Sequence, residues 1–478
     1  MEIREIDIRS LVEQVIDRLE KSGALRWGER VQEAPSQGEG IFGDVEEAVK
    51  AARKAFEKFI EMPLDRRRNI IRAIRKAALQ EAENLAHMAK EETGMGRLED
   101  KVEKNRLAAL KTPGVEDLEP TAFTDEHGLT LVERAPYGVI ASIIPSTNPT
   151  STVINNTISM VSAGNVVIFH PHPGAKNCSS YAVSLLNRAI VEAGGPENVI
   201  CAISNPTLES AQALMKHPGV RLLVVTGGGA VVRAAMGSGK KVIAGGPGNP
   251  PCVVDETADI AKAGRDIVLG AGFDNNIVCV CEKEVLVVDK VADELEEAMV
   301  RNGGFRLTKK HMEEVTRLVI DEAGGPGKPG KPCKEWVGKD ASLIAQAIGL
   351  NVPESIRILF GEVEKEHPLV WTEQLLPVIP VVRFKDVEEA MEFAVECEHG
   401  FRHTAIMHSR NVENLSKMAK MMDCSIFVKN GPAYSGLGRG GAGFTSFTIA
   451  TPTGEGLTRP RTFTRERRCT LVDYFRIV

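Results

Sequence analysis

The 478-residue sequence predicts an α/β protein with a mostly parallel, doubly wound sheet. Short apolar runs of strand type alternate with helical segments from about residue 138 onward. Such alternation places helices on both faces of a parallel sheet. The chain is long enough for two large domains, and its 43% hydrophobic and 26% charged residues are typical of a soluble globular protein.

The predicted elements follow one another in a clear order. Helical patterns run from Val45 to about Glu92. Four strands are predicted next, at Gly138–Ile144, Val166–Phe169, Val220–Val225 and Lys241–Ala244. Two more, at Cys279–Asp289 and Leu376–Phe384, indicate a second α/β region, and Gly324–Pro332 is predicted to be a flexible surface loop.

The first 22 residues form a segment of their own. Apolar residues recur there every three or four positions and make one stripe on a helix: Ile8, Leu11, Val12, Val15, Ile16 and Leu19. Residues 23–40 follow as a polar linker. A tethered amphipathic helix is typical of a segment that docks on a partner, and docking on its own domain explains the pattern equally well.

Charge and cysteine content argue against several classes of protein. A net charge of −6 and a pI near 6.0 argue against a nucleic-acid scaffold, whose basic stripe would be visible. No apolar run reaches about 18 residues, so we expect no membrane span. Nine cysteines are scattered along the chain without paired C-x2-C motifs, and we therefore expect no structural zinc.

Two turns that follow predicted strands are candidate phosphate sites. Thr226–Gly229 contains three consecutive glycines and precedes a helix, whose N-terminus favours a phosphate. His170–Lys176 follows its strand in the same way. A tight turn between strand and helix, or a capped turn histidine, accounts for these residues as well.

Cys279 is the candidate nucleophile. It follows the polar run Asp274–Asn276 at a loop-to-strand boundary, where amide donors favour a thiolate. Cys281, two residues on, would share its face of a strand, so a pair of core cysteines is the alternative. Asn148, framed by Pro145 and Pro149, is rigid enough to donate to an oxyanion, which is worth roughly 3–4 kcal/mol of barrier, although a capped turn also explains it.

Together these segments resemble the aldehyde dehydrogenase superfamily, and most closely its CoA-acylating branch in bacterial microcompartments. The resemblance runs from about Gly40 to Val478. It rests on Glu92–Gly96, Asn105–Asp117, Pro145–Thr150, His172–Lys176, Gly248–Ala258, Phe427–Pro432, Thr451–Gly456 and Arg465–Asp473.

The resemblance implies a fold of three parts. They are a Rossmann-like NAD-binding domain (residues 41–118 and 137–250), an α/β catalytic domain (251–440) and a small β oligomerisation flap (119–136 and 456–478). It implies Cys279 as nucleophile and Asn148 as oxyanion donor, with a one-residue ambiguity between Asn148 and Thr147. The implied cofactor-binding residues are Thr147, His170, Pro171, His172, Thr226, Gly227, Gly228, Gly229, Val232, Gly245, Glu373 and Leu375.

One absence favours acylation over hydrolysis. Hydrolytic members of the superfamily carry a water-activating glutamate just before a Gly-Gly pair, whereas Val242–Gly246 has no carboxylate. The resemblance therefore implies that NAD⁺ oxidises a short aldehyde through a Cys279 thioester, which CoA then accepts. Propionaldehyde is the first choice and acetaldehyde the second. A hydrolytic dehydrogenase, a non-enzymatic scaffold and a Cys279–Cys281 redox switch are the alternatives.

The same resemblance implies where the protein works. The helix at residues 1–22 would dock on microcompartment shell or core proteins, and the enzyme would be a homo-oligomer, dimer or tetramer, in the bacterial cytoplasm inside a microcompartment. No metal, nucleic acid or membrane is expected to take part. Cys281 and Gly438–Ala442 depart from the pattern of close relatives and leave substrate size and CoA contacts open.

Overall fold

The computed structural model describes residues 39–478. The predicted helix at residues 1–22 and the linker up to residue 38 lie outside the described residues. The α-helices of the described part are α1 Val45–Phe59, α2 Leu64–Gln80, α3 Ala82–Thr93, α4 Leu98–Lys111, α5 Pro149–Ser162, α6 Lys176–Glu192, α7 Leu208–Lys216, α8 Gly229–Met236, α9 Ile260–Ala271, α10 Asp289–Arg301, α11 Lys309–Val319, α12 Ala341–Ala347, α13 Val387–Cys397 and α14 Val412–Met422.

The strands are β1 Ile41–Phe42, β2 Thr121–Asp125, β3 Gly128–Pro136, β4 Val139–Ile143, β5 Val166–His170, β6 Ile200–Ile203, β7 Leu222–Thr226, β8 Lys241–Gly245, β9 Pro251–Val254, β10 Glu284–Val288, β11 Gly304–Arg306, β12 Ile320–Glu322, β13 Lys331–Pro332, β14 Ile358–Glu362, β15 Val378–Phe384, β16 Thr404–His408, β17 Ile426–Lys429, β18 Ile449–Ala450, β19 Gly456–Leu457 and β20 Thr464–Val472. None of the helices in residues 39–478 combines the length and apolarity needed to cross a bilayer.

A six-stranded parallel sheet forms the first half of the fold. Its order is β1-β6-β5-β4-β7-β8, and β4, β5 and β6 are buried along their whole length. Strands covered on both faces are mostly apolar, which is why they appear in the sequence as nearly continuous apolar runs. Because parallel strands end at one edge, the segments that follow β4, β5, β7 and β8 lie side by side.

A seven-stranded parallel sheet forms the second half, in the order β11-β14-β15-β10-β9-β16-β17. The sequence predicted a strand from Cys279, and this prediction is wrong, because β10 begins only at Glu284. Residues 279–283 form an irregular segment that leads into the amino end of β10. A left-handed turn at residues 274–276 precedes this segment and keeps it out of the sheet.

Small antiparallel sheets complete the structure. β3 pairs with β2 on one side and with β20 on the other. The predicted flap also included residues 456–463, but β19 pairs with β18 instead, so the strand that joins β3 begins at Thr464. The predicted loop Gly324–Pro332 is closed by the short β12–β13 ladder and packs against Trp371.

Candidate active site

A left-handed turn precedes the candidate nucleophile. Asp274, Asn275 and Asn276 have φ values of 47°, 53° and 67°. Asp and Asn tolerate this conformation better than other residues that carry a side chain. All three are buried, and Asn276 donates hydrogen bonds to backbone carbonyls on both sides of the turn. These contacts hold the turn in place. The backbone that follows it, at Cys279, is irregular and not extended.

Asp274 is the electrostatic anchor of this turn. Its carboxylate is fully buried, pairs with Lys101 at 3.3 Å and with Lys104, and accepts the Arg97 N–H at 2.7 Å. Burial by itself would raise the pKa of Asp274, but the two ammonium groups and the backbone N–H hold it below its usual value. The anchor therefore remains an anion at neutral pH.

Cys279 is partly exposed, whereas Cys281 is completely buried. The sequence predicted that the two cysteines share one face of a strand. This prediction is wrong, because residues 279–283 are not in a strand. Burial raises the pKa of Cys279 to about 12, with a further contribution from the charge of Glu373, while Lys283 acts in the opposite direction. In this state the thiol is protonated at neutral pH and needs further stabilisation to act as a nucleophile.

Glu373 lies at the same edge as Cys279, since β15, which follows Glu373, and β10, which follows Cys279, are parallel neighbours. Burial raises the pKa of Glu373 to about 7, and the charge of Lys283 and the Gly248 N–H lower it in part. The structure thus brings these two predicted residues close enough for their charges to interact. Leu375, two residues beyond Glu373, has a φ of 53° and accepts the Gly338 N–H through its carbonyl.

Asn148 precedes α5, yet its side chain does not cap that helix. Its Oδ1 accepts a hydrogen bond from Lys104 Nζ at 2.7 Å, and its Nδ2 donates to Thr147 Oγ1 at 3.2 Å. Lys104 Nζ also bonds to the Asp274 carboxylate. One lysine therefore joins the carboxyl edge of the first sheet to the turn before Cys279, so the predicted donor and nucleophile belong to one site.

The predicted cofactor residues at and after the ends of β7 and β8 lie at this same edge. Gly228 precedes α8 and is exposed, and a side chain there would meet no atom within 4 Å. The turn therefore leaves room for a phosphate beside a helix N-terminus, which fits the pyrophosphate of NAD. Gly245 ends β8 opposite Thr226, and Val232 is buried in α8.

The two histidines at the carboxyl end of β5 have partners within the protein. His170 is buried, its Nε2 lies 2.8 Å from Ser210 Oγ, and burial lowers its pKa to about 4. His172 is exposed, and its Nδ1 accepts the Gly174 N–H at 3.1 Å. Pro171 between them is buried. His172 thus fits the capped-turn alternative that the sequence left open.

Three buried side chains of the site were missed at the sequence level. Lys104 and Lys283 are buried lysines, although lysine in a helix, or between two glutamates, is typical of an exposed face. Lys283 Nζ donates to Asn276 O at 2.8 Å and to its Oδ1 at 2.5 Å. His403 precedes β16, and a Cβ on Gly248 would lie 2.9 Å from its ring. No local pattern could mark Lys104, because its partners Asn148 and Asp274 lie 44 and 170 positions away.

A family model for the aldehyde dehydrogenase family matches residues 31–316 and 357–446 of the chain. The acetaldehyde dehydrogenase (acetylating) EutE of Salmonella typhimurium is 51% identical over 468 residues, which cover 98% of this chain and 100% of that protein. The propanal dehydrogenase (CoA-propanoylating) of Citrobacter freundii is 46% identical over 445 residues, which cover 93% of this chain and 95% of that protein.

Two solved structures are similar to this chain in both fold and sequence. A propionaldehyde dehydrogenase of Rhodopseudomonas palustris, solved with bound CoA and an acylated cysteine, has a TM-score of 0.89 and 46% identity, covering 91% of this chain and 99% of its own. A propionaldehyde dehydrogenase from the fucose utilisation microcompartment of Clostridium phytofermentans has a TM-score of 0.89 and 47% identity, covering 92% and 100%.

Proposed function

Because the chain belongs to the aldehyde dehydrogenase family, we propose that it oxidises a short-chain aldehyde with NAD⁺ and CoA to acyl-CoA and NADH. One observation carries the acylating form of this reaction. Cys279 is accessible beside Glu373, while Val242–Gly246, where a hydrolytic enzyme would carry its water-activating glutamate, has no carboxylate. A thioester at Cys279 then persists long enough for a thiol to accept the acyl group.

The chemistry divides into two half-reactions. The thiolate of Cys279 attacks the aldehyde carbon, and the Asn148 side chain and a backbone N–H stabilise the oxyanion that forms. When bound, NAD⁺ supplies the hydride acceptor, with Thr226–Gly229 and Glu373 as the residues that would hold it. Loss of hydride leaves a thioester on Cys279. The CoA thiolate attacks this carbonyl, the bond to Cys279 breaks, and the enzyme thiolate returns.

The test is NADH formation from propanal, measured with and without CoA. We expect sustained turnover only with CoA, and none in Cys279→Ala. Cys281→Ala is the matched control, because it removes a neighbouring buried thiol and is expected to keep CoA-dependent turnover. Turnover by Cys279→Ala, or equal turnover without CoA that yields free acid, would contradict the proposal.

Propanal is the favoured aldehyde and acetaldehyde the second candidate. One methylene changes binding by only about 1–3 kcal/mol, so the enzyme is expected to accept both. Comparing kcat/KM for aldehydes of two to four carbons ranks them. A maximum at two carbons would favour acetaldehyde as the physiological substrate.

The cellular setting is proposed from relatives and from exposed surfaces. The Clostridium phytofermentans relative comes from a microcompartment, and this supports a role for residues 1–22 in docking on shell or core proteins in the bacterial cytoplasm. Deleting residues 1–22 is expected to leave activity intact and to abolish co-purification with shells. Unchanged co-purification would argue against docking.

Exposed apolar side chains on the three-stranded sheet and the residues after it support a homo-oligomer, dimer or tetramer. They are Phe123, Leu471, Val472, Tyr474, Phe475, Ile477 and Val478. A surface of this kind is typical of a contact between copies. Light scattering on the purified protein measures the mass, and a monomer at micromolar concentration would contradict the proposal.

A further inference from the structure

Lys104 is a buried cation that contacts two parts of the candidate site at once. Its side chain is 2% exposed. Its Nζ lies 2.7 Å from Asn148 Oδ1 and also bonds to the Asp274 carboxylate. Asn148 follows the first sheet, whereas Asp274 belongs to the turn before Cys279. One ammonium group therefore ties the proposed oxyanion donor to the segment that carries the nucleophile.

The ammonium group determines which way the Asn148 amide faces. Lysine only donates hydrogen bonds, so the amide directs its oxygen toward Lys104 Nζ and its NH₂ group away. One N–H of that group donates to Thr147 Oγ1 at 3.2 Å, which leaves the second N–H for a ligand. With oxygen and nitrogen exchanged, the amide would present an acceptor that repels an oxyanion.

The charge of Lys104 has a second effect on the same amide. A cation on the amide oxygen draws electron density from the nitrogen and makes its remaining N–H a stronger donor. Burial lowers the pKa of Lys104 to about 8, in part offset by Asp274, so the side chain is still mostly charged at neutral pH. The charged Lys104 ammonium group is therefore present beside Asn148 Oδ1 at neutral pH.

We propose that Lys104 is a positioning residue for formation of the acyl-enzyme, holding the Asn148 amide with its N–H toward the substrate carbonyl. It acts through Asn148 and not on the substrate. This inference rests on the proposed function, because it needs an oxyanion to form at Cys279.

Lys101 offers a matched control. It lies one turn earlier on α4, its side chain is 3% exposed, and its Nζ is 3.3 Å from the same oxygen of Asp274. Among the hydrogen bonds of residues 39–478, none joins Lys101 to Asn148. Replacing either lysine by Met therefore removes one of two cations from Asp274, but only Lys104→Met releases the Asn148 amide.

The experiment measures a single turnover. Enzyme, NAD⁺ and propanal are mixed without CoA, and the rate of the NADH burst reports acyl-enzyme formation. Alkylation of Cys279 by iodoacetamide, measured in parallel, reports thiol reactivity without an oxyanion. Loss of one oxyanion donor slows such reactions about 10²–10³-fold, so we expect a burst roughly 10–100-fold slower in Lys104→Met than in Lys101→Met. The alkylation rates should differ far less, and a burst that falls no more than alkylation would overturn the inference.

A double substitution tests whether Lys104 acts through Asn148. In an Asn148→Ala background, Lys104→Met should slow the burst less than about twofold beyond Lys101→Met, since the donor is already gone. A full additional loss would place the action of Lys104 elsewhere. Lys104→Gln keeps a neutral donor but loses the charge, so its burst should fall between those of Lys104→Met and Lys101→Met. If the Met variant does not fold, Lys104→Gln is compared with Lys101→Gln, and a burst slower by no more than alkylation would overturn the inference.

The two proposals fail in distinguishable ways. Absence of CoA-dependent NADH formation in the unmodified protein would refute the proposed function. Normal activity in the unmodified protein, with equal bursts for Lys101→Met and Lys104→Met, would refute only the role of Lys104.

Discussion

Asp274→Asn tests how the turn before Cys279 is held. The substitution keeps the shape of the side chain and removes the negative charge that Lys101 and Lys104 share. The side chains of these two lysines are only 3% and 2% exposed. Removing one partner of a buried ion pair costs about 3–5 kcal/mol, because the remaining charge is left without compensation. Two buried ammonium groups lose their partner here, so we expect a destabilisation at the upper end of that range.

This cost converts into a measurable shift of the melting temperature. An unfolding entropy of about 2.1 cal/mol/K per residue gives roughly 0.9 kcal/mol/K for the ~440 described residues. We therefore expect Asp274→Asn to melt about 4–5 °C below the wild type in a calorimetric scan. Asp340→Asn is the control, since Asp340 is half-buried and pairs with the same turn through Asn275, and it should shift the midpoint by no more than about 1 °C.

The pH dependence has a defined sign. The pKa of Asp274 lies below its ordinary value in the folded protein, so its stabilisation is fully present above about pH 4 and is lost as the pH falls through the folded pKa. Burial lowers the pKa of Lys104 to about 8 even beside Asp274, and without that carboxylate the pKa should fall further. The gap between wild type and Asp274→Asn should therefore be widest near pH 5 and shrink toward pH 8, where the unpaired lysine can lose its proton. An unchanged melting temperature, or a gap that widens from pH 5 to pH 8, would show that the two lysines do not depend on this carboxylate.

Three further predictions concern the surroundings of the thiol. Glu373→Gln should speed alkylation of Cys279 by iodoacetamide at pH 8 about three- to tenfold, because the charge of Glu373 raises the pKa of that thiol. The gain should shrink at pH 6, below the pKa of about 7 of Glu373, and an equal gain at both pH values would contradict the assignment. Lys283→Met should slow the same alkylation by a similar factor, because Lys283 lowers the pKa of Cys279, and faster alkylation would show that its charge does not reach the sulfur. Gly248→Ala places a Cβ 3.2 Å from Cys279 O and should slow aldehyde-dependent NADH formation about 10–100-fold. Gly43→Ala, whose Cβ meets no atom within 4 Å, should leave that rate unchanged, and equal rates in the two variants would contradict the prediction.

Local sequence patterns were enough to predict the class of the fold and the segments that carry the candidate site. Nearly continuous apolar runs predicted β4, β5 and β7 to within about two residues, because strands buried on both faces leave few polar positions. The turns that follow them were predicted as well, since parallel strands end at one edge and glycine marks the close approach. The candidate nucleophile Cys279 was also evident, from its polar neighbours and from the resemblance to a family.

The conformation around Cys279 and the side chains near it depend on contacts that form only in the folded chain. The strand predicted from Cys279 was wrong because three consecutive left-handed residues, held by remote partners, keep residues 279–283 out of the sheet. The burial of Lys104 was equally invisible, since its partner Asp274 lies 170 positions away. A lysine is buried only where the rest of the fold supplies a compensating charge, and that information is not local. The pattern of apolar residues therefore predicted the strands of the sheets. The charges around Cys279 depend on contacts that only the folded chain creates.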